Sequence, residues 1–344
     1  MASKLYTRHE LAFRTQYAEL KDRVIGTGEL LAGTPGALAL RKGTGHAYWY
    51  RVYYPYPGRQ AEEIVGKHGD DQALQAMRDR IAFAEWVATQ VSHLRKLGFQ
   101  AADKKTARVL VQLHNQGAFK AGLVVVGTVG YMALLNELGL RAVAPRTMDV
   151  DLARGETLRL ATPLRLLDLL QATGLPFTAV PRLRHDESAT SAKLPGVEGL
   201  RIDLLAPGTL DGKPVDVPEL GWAAQGLPGY EYLLANTMLG AILAGGHCIP
   251  VHLPDAGRFA VHKLYSSVLR RGAREKADKD RHQALTLIAA MAEDDDSTDL
   301  AAALREAPAS IVDPLRAARI SLLRAFSGHE AARAMLDQAL GDLP

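Results

Sequence analysis

Residues 123–152 limit what this chain can fold into more than any other stretch. They hold an apolar run, Leu123-Val124-Val125-Val126, the pair Gly127-Thr128, a helix-like segment to Leu138, and then Thr147-Met148-Asp149-Val150-Asp151-Leu152. In the last piece Met148, Val150 and Leu152 alternate with Asp149 and Asp151. Side chains two apart on a strand leave the sheet on the same face, so both carboxylates must share one small volume. Like charges that close stay ionised only beside a cation, and hard oxygen ligands suit Mg²⁺ or Mn²⁺.

The other end of the stretch has the chemistry of an anion cradle. Gly127 ends the first strand and lets the backbone turn tightly, Thr128 has N-cap chemistry, and the following helix aims free N–H groups back at the turn. A nucleoside triphosphate (NTP) carrying a divalent cation uses both halves, and in-line attack on its α-phosphorus is the reaction that two metals support. Each half also has an ordinary reading: Gly-Thr before a helix is a common turn, and Asp-x-Asp on a strand is often a solvated edge. Their occurrence within one strand–helix–strand unit favours the site.

These residues resemble the Gly-Ser/Thr and Asp-x-Asp motifs of the polymerase-β-type nucleotidyltransferase superfamily. Within it, Val126-Gly127-Thr128-Val129-Gly130-Tyr131, Leu138-Gly139-Leu140-Arg141, residues 147–153 and the later His262-Lys263-Leu264 are similar to a bacterial branch of nucleotidyltransferase-fold proteins. That branch is related to AbiEii-type and MNT-type toxin enzymes, and the similarity runs over residues 10–295. The resemblance implies an α+β fold with a small mixed sheet flanked by helices, and transfer of a nucleotide from an NTP to an acceptor hydroxyl on protein, RNA or a small molecule. It also implies a toxin or defence role. In residue terms it implies metal ligation by Asp149 and Asp151, with a third carboxylate on a neighbouring strand sharing the second metal and helping to deprotonate the acceptor. Asp203 fits that place, because in 200–205 it faces away from Leu200, Ile202 and Leu204. Lys263 is the implied neutraliser of the leaving pyrophosphate, and Asp280, one helix later, completes the site.

Composition narrows the rest. A 47% hydrophobic, 23% charged chain of 344 residues is an ordinary globular balance, and a net charge of +3 decides nothing about nucleic acid. One cysteine, Cys248, excludes an internal disulfide. With no apolar signal region at the start and no membrane-length apolar run, a soluble cytoplasmic protein is expected. His247, Cys248, His252 and His262 match no compact zinc spacing.

Read in order, the chain divides into 1–105, 106–210 and 211–344: an N-terminal helix, β-meander and long-helix region, a nucleotidyltransferase core, and a mostly helical remainder. Helical spacing covers 9–32; three β-rich runs at 37–42, 46–54 and 61–67 predict an antiparallel meander. Its aromatics, with Tyr48, Trp49 and Tyr50 beside Arg51, have the mix a sheet uses to stack bases and hold phosphates. A degenerate protein that binds nucleotide or nucleic acid through this meander is therefore the rival to an enzyme. Packing of strand aromatics on one another is the plainer reading. A long helix is expected over 70–97 and another over 106–117.

Further along, Thr162-Pro163 predicts the cap and first position of a helix to Ala172, 177–183 a strand, and 187–199 a loop. Residues 207–229 read as a long connection, and 230–243 fits a strand or a helix. Residues 248–253 read as a strand that Pro250 puts at an edge. Asp255 should cap a helix to Arg271-Gly272, and a further helix from Glu275 puts Lys276, Lys279, Asp280 and Gln283 on one face. There Lys276 and Lys279 are candidate phosphate contacts, although Lys276 and Asp280 also fit a surface pair. The end, 299–343, reads as two or three helices broken at Pro308 and Pro314.

Overall fold

A computed structural model describes residues 5–43, 45–145, 147–182, 188–270, 272–293 and 298–341, with backbone alone at 298 and 299. The fold is α+β. After β1 (Thr7–Arg8) comes α1 (Leu11–Ile25), and then the antiparallel meander β2 (Ala37–Lys42), β3 (Ala47–Tyr56) and β4 (Arg59–Lys67) in the order β2-β3-β4. The 26-residue α2 (Asp71–Lys96) follows, its first turn closed by Asp70, whose side chain accepts from Ala73 N. Next is α3 (Lys104–Asn115), where Asp103 accepts from the N–H groups of Lys105 and Thr106.

The large sheet is threaded by β5 (Val124–Val126), β7 (Asp149–Ala153), β9 (Ser191–Lys193), β10 (Arg201–Pro207), β11 (Pro214–Val217), β12 (Trp222–Leu227), β13 (Thr237–Ala244) and β14 (His247–Pro254). Its order is β11-β12-β10-β7-β5-β14-β13, with β9 on the first half of β10 and β8 (Thr178–Ala179) on β9. Helix α4 (Gly127–Glu137) leaves β5, and β6 (Leu140–Arg141) pairs with β1. Strand β5 is buried throughout, as its unbroken valines require. One hydrophobic core runs through this sheet and its helices, and a smaller one joins α1 and α2 to β13 and β14 around Tyr17, Leu94, Phe99 and Cys248.

Several sequence expectations need correction. The helix expected from Thr162-Pro163 is α5 (Leu166–Ala172); its N-cap position is Arg165 and no side chain closes it. The strand expected over 177–183 shrinks to β8, with Leu183 outside the described residues, and the loop expected over 187–199 contains β9. The long connection is a hairpin, β11 and β12, around a one-turn 3-10 helix at Pro218–Leu220. The ambiguous 230–243 is both: α6 (Tyr230–Leu234), then β13. Strand β14 is internal; Pro250 is tolerated there because β5 joins β14 only at His252↔Val124, leaving β14 edge-like before that point.

Helix α7 (Ala256–Leu269) is capped by Asp255, which accepts from Arg258 N, and packs against α8 (Arg274–Ala292). Arg271 lies outside the described residues. Among the described residues four helices follow rather than the two or three expected: α9 (Thr298–Arg305), α10 (Ala309–Ala317), α11 (Arg319–Ala325) and α12 (Glu330–Gly341). Pro308 precedes α10 as expected, but Pro314 lies inside it, where a nine-residue helix loses one backbone bond.

The meander also corrects the proposed base-stacking set. On β3 the pleat sends Tyr48 and Tyr50 to one face and Trp49 and Arg51 to the other, so the four do not form one surface. Arg51 is 1% exposed. Its guanidinium donates to the carbonyls of Ala32, Thr34 and Pro35 and to Glu63, and lies 4.0 Å over the Tyr53 ring. It clamps the α1–β2 connection and has no fork left for a phosphate.

Candidate active site

Sheet register brings the predicted acids together. Strands β7 and β10 are parallel with Asp151 opposite Asp203 and Asp149 opposite Arg201, so all three aspartates leave one face of the sheet. Antiparallel β5 places Val126 opposite Asp151, which sets Gly127 beside that carboxylate. Gly127 has φ +63°, and a Cβ built there falls 1.8 Å from Asp151 Oδ2. Glycine is therefore required twice, for a left-handed backbone and for the contact with the acid.

Helix α4 starts at Gly127 itself. Val126 is its N-cap position, with no side-chain cap, and Thr128 is buried inside the first turn. The expected N-cap role of Thr128 is thus overturned: the turn is made one residue earlier, by the glycine. The N–H groups of that first turn keep their partial positive charge beside Asp151.

Asp149 is exposed at the start of β7 and Asp151 is half-buried. Burial, together with the charges of Asp203 and Asp149, pushes the Asp151 carboxyl up to about 6, against the pull of Lys263 and Lys279. Asp203 is held differently. Its Oδ1 accepts from Ser191 Oγ and from Arg201 Nε at 2.8 Å, and Arg201 also donates to Ser191 Oγ at 2.7 Å. Among the described residues no three His, Cys, Asp or Glu side chains converge closely enough to hold a metal ion. The donor set that fits a divalent cation is the Asp149–Asp151 pair: hard oxygens on one face, with no ion pair among the described residues and one member resisting ionisation.

Lys263 lies on α7 and Asp280 on α8, with Nζ 2.7 Å from Oδ1, and Asp280 is almost fully buried. Arg270 Nε lies 3.1 Å from Oδ2, an ion pair without hydrogen-bond alignment. The half-buried Lys279 has its ammonium pushed down by burial and by Lys263, offset by Asp280, Asp151 and Asp149. Lys276 is exposed and makes no ion pair among the described residues, and Asp280 pairs with Lys263 and Arg270 rather than with Lys276.

A recess of about 150 Å³ connects the Gly127 turn to Lys263 and Arg270, with Tyr230, Phe259 and His262 in its wall. His262 is buried edge-on to Tyr230, ring centroids 5.0 Å apart, and burial pushes its imidazole down to about 4, so it is a neutral wall. Ser191, Arg201, Arg270 and Tyr230 were not singled out from the sequence. Arg201-x-Asp203 is a period-two signal for Arg201, and Arg270 follows Lys263 by two helical turns.

The chain matches a family model described as nucleotidyltransferase over residues 104–309, more than half of its length. No curated protein matches it. Among solved structures it is similar to the crystal structure of an antigenic nucleotidyltransferase-like protein from Paracoccidioides brasiliensis, at 16% identity over 67% of this chain and 92% of that one, with a TM-score of 0.35. The family match covers the glycine turn, all four aspartates and Lys263, and the chain belongs to the nucleotidyltransferase family.

Proposed function

We propose that this transferase moves a nucleoside monophosphate from a metal-chelated NTP to an acceptor hydroxyl, with chemistry at the face shared by β5, β7 and β10. The observation that carries the reading is the contact of the Asp151 carboxylate with the left-handed Gly127 turn at the positive end of α4. Acid ligand and anion cradle occupy one volume there.

Asp149 and Asp151 would hold Mg²⁺ or Mn²⁺, which when bound neutralises the phosphates and polarises the α-phosphorus. Gly127 and the first turn of α4, with Thr128, bind phosphate oxygens through backbone N–H groups. The acceptor oxygen forms its bond to the α-phosphorus as the bond to pyrophosphate breaks. Its proton passes to Asp203, whose Oδ1 is fixed by Ser191 and Arg201 while Oδ2 makes no hydrogen bond among the described residues. Negative charge building on pyrophosphate meets Lys263, which Asp280 holds in place, with Lys279 as a second cation. The same reading takes 106–210 as the nucleotide-binding core and 211–344 as the region supplying the lysines and Asp280.

Calorimetric titration of ATP, CTP, GTP and UTP, with and without Mg²⁺, tests this reading. Binding should need the metal and disappear in Asp149→Asn. Metal-independent binding that survives Asp149→Asn sinks it, and if Trp49→Ala then removes affinity for nucleic acid, the meander is the binding element. Radiolabelled NTP incubated with cell lysate identifies the acceptor.

A further inference from the structure

A second cavity lies remote from the aspartates. It has a volume of about 1420 Å³ and is half open to solvent, between the meander, α2, α3 and the β13–β14 turn. Strand register fixes its distance from the catalytic face. β14 runs parallel to β5 with His252 opposite Val124, the cavity lies at His247, and the glycine turn lies at Gly127. Eight residues of strand, about 26 Å, separate the two along the sheet.

The wall is mostly hydrocarbon, from Leu30, Tyr53, Phe83, Val87, Val111 and Leu175. Water gains few partners in such a space, and an open apolar surface of this extent marks a binding function. Pockets for compact small molecules run to about 1,000 Å³, so the volume suits an extended body. The polar groups are not balanced. Arg80, Lys104, Lys105 and Arg108 face Glu29 and Asp79, an excess of two positive charges. Arg80, Lys104 and Lys105 are exposed and have no ion pair among the described residues. Arg108 is already engaged, donating to the Thr173 carbonyl and lying 4.3 Å over the Tyr56 ring. His247 contributes no charge, since burial holds its imidazole below the ordinary value, and its Nε2 bonds the Leu31 carbonyl at 3.0 Å.

We propose that this cavity is a second binding site, for a monomeric amphipathic anion: a long apolar chain ending in one carboxylate or phosphate, with the head beside Lys104 and Lys105. Single-stranded nucleic acid fits less well, because its repeated charges need a continuous cationic track, whereas here the free cations stand at the rim of a hydrocarbon wall. The inference does not depend on the catalytic reading.

The test uses the full chain and a dansylated undecanoate, with its methyl ester as the neutral control. The acid should bind saturably at one equivalent, and the ester about tenfold more weakly, for loss of the charge-assisted contact. Lys104→Gln with Lys105→Gln, both on the surface, should weaken the acid about tenfold and leave the ester unchanged. Ala84→Trp, which fills the cavity from α2, should abolish binding of both, with circular dichroism reporting the fold. Asp149→Asn should bind the probe as the parent does. Equal affinity for acid and ester, an unchanged acid affinity in the double lysine variant, or competitive displacement by oligouridylate overturns the proposal.

Discussion

Replacing Asp151 with asparagine should stabilise this protein at neutral pH. The carboxyl takes up a proton below about 6 in the folded chain and below 3.8 in the unfolded one. Between those values the folded state binds more protons, so unfolding free energy falls as pH rises. The stability is fully present below 3.8, is lost as pH climbs to about 6, and stays lost above it. A shift of about two units corresponds to about 3 kcal/mol. The substituted amide carries no charge and escapes the loss. Urea denaturation in EDTA at several pH values between 4 and 8 reads the difference directly. The variant's advantage should grow from near zero at pH 4 to about 3 kcal/mol at pH 7. Mg²⁺ should narrow it, since a bound cation stabilises only the parent. A difference that does not change with pH refutes the claim that Asp151 is held ionised against its surroundings.

Gly127→Ala places a methyl in the Asp151 carboxylate and an L residue at φ +63°; it should lose at least about 1–2 kcal/mol in urea and all metal-dependent NTP binding by calorimetry. Asp280→Asn leaves Lys263 and Arg270 without their buried anion and should cost about 3–5 kcal/mol in the same assay. Arg51→Ala releases the carbonyls of Ala32, Thr34 and Pro35; a loss of about 1–3 kcal/mol is expected, with new protease cleavage within 27–36 in limited proteolysis. Cys248 is fully buried and its thiol is pushed up by burial, so a thiol reagent at pH 8 should react only at the rate of unfolding.

What could be read in the sequence is what local chemistry decides. The valine run of β5, the alternation of Met148, Val150 and Leu152 with two acids, the meander with its glycine turns and the Asp255 cap each depend on near neighbours in the chain. What could not be read depends on pairing between distant segments. β9 is three residues in a Ser- and Lys-rich stretch and is a strand because β8 and β10 bond to it, and without β9 there is no way to see Ser191 reach Asp203. The aromatic meander misled for a similar reason. Arg51 looked available beside Trp49 until the connection at 32–35 folded over it. Thr128 misled by one residue, because a glycine at positive φ starts α4 where a hydroxyl cap would otherwise be needed.

The distribution of charge around the site explains why two of its four acids, and not the others, should take the cation. Asp280 is neutralised by Lys263 and Arg270, and Asp203 by Arg201 with a hydroxyl from Ser191. Asp149 and Asp151 have no ion pair among the described residues, yet Asp151 sits where burial opposes its charge. Lys279 is the complement: a half-buried ammonium with no ion pair among the described residues, held below its ordinary value and close enough to feel both acids. Packing could have closed this gap by letting Lys279 reach Asp151, and the fold keeps them as neighbours that do not pair. A divalent cation on the acids and a phosphate on the lysine satisfy both at once, whereas either alone leaves a buried charge uncompensated. Metal and nucleotide should therefore bind with positive coupling, each raising the affinity for the other by the same factor.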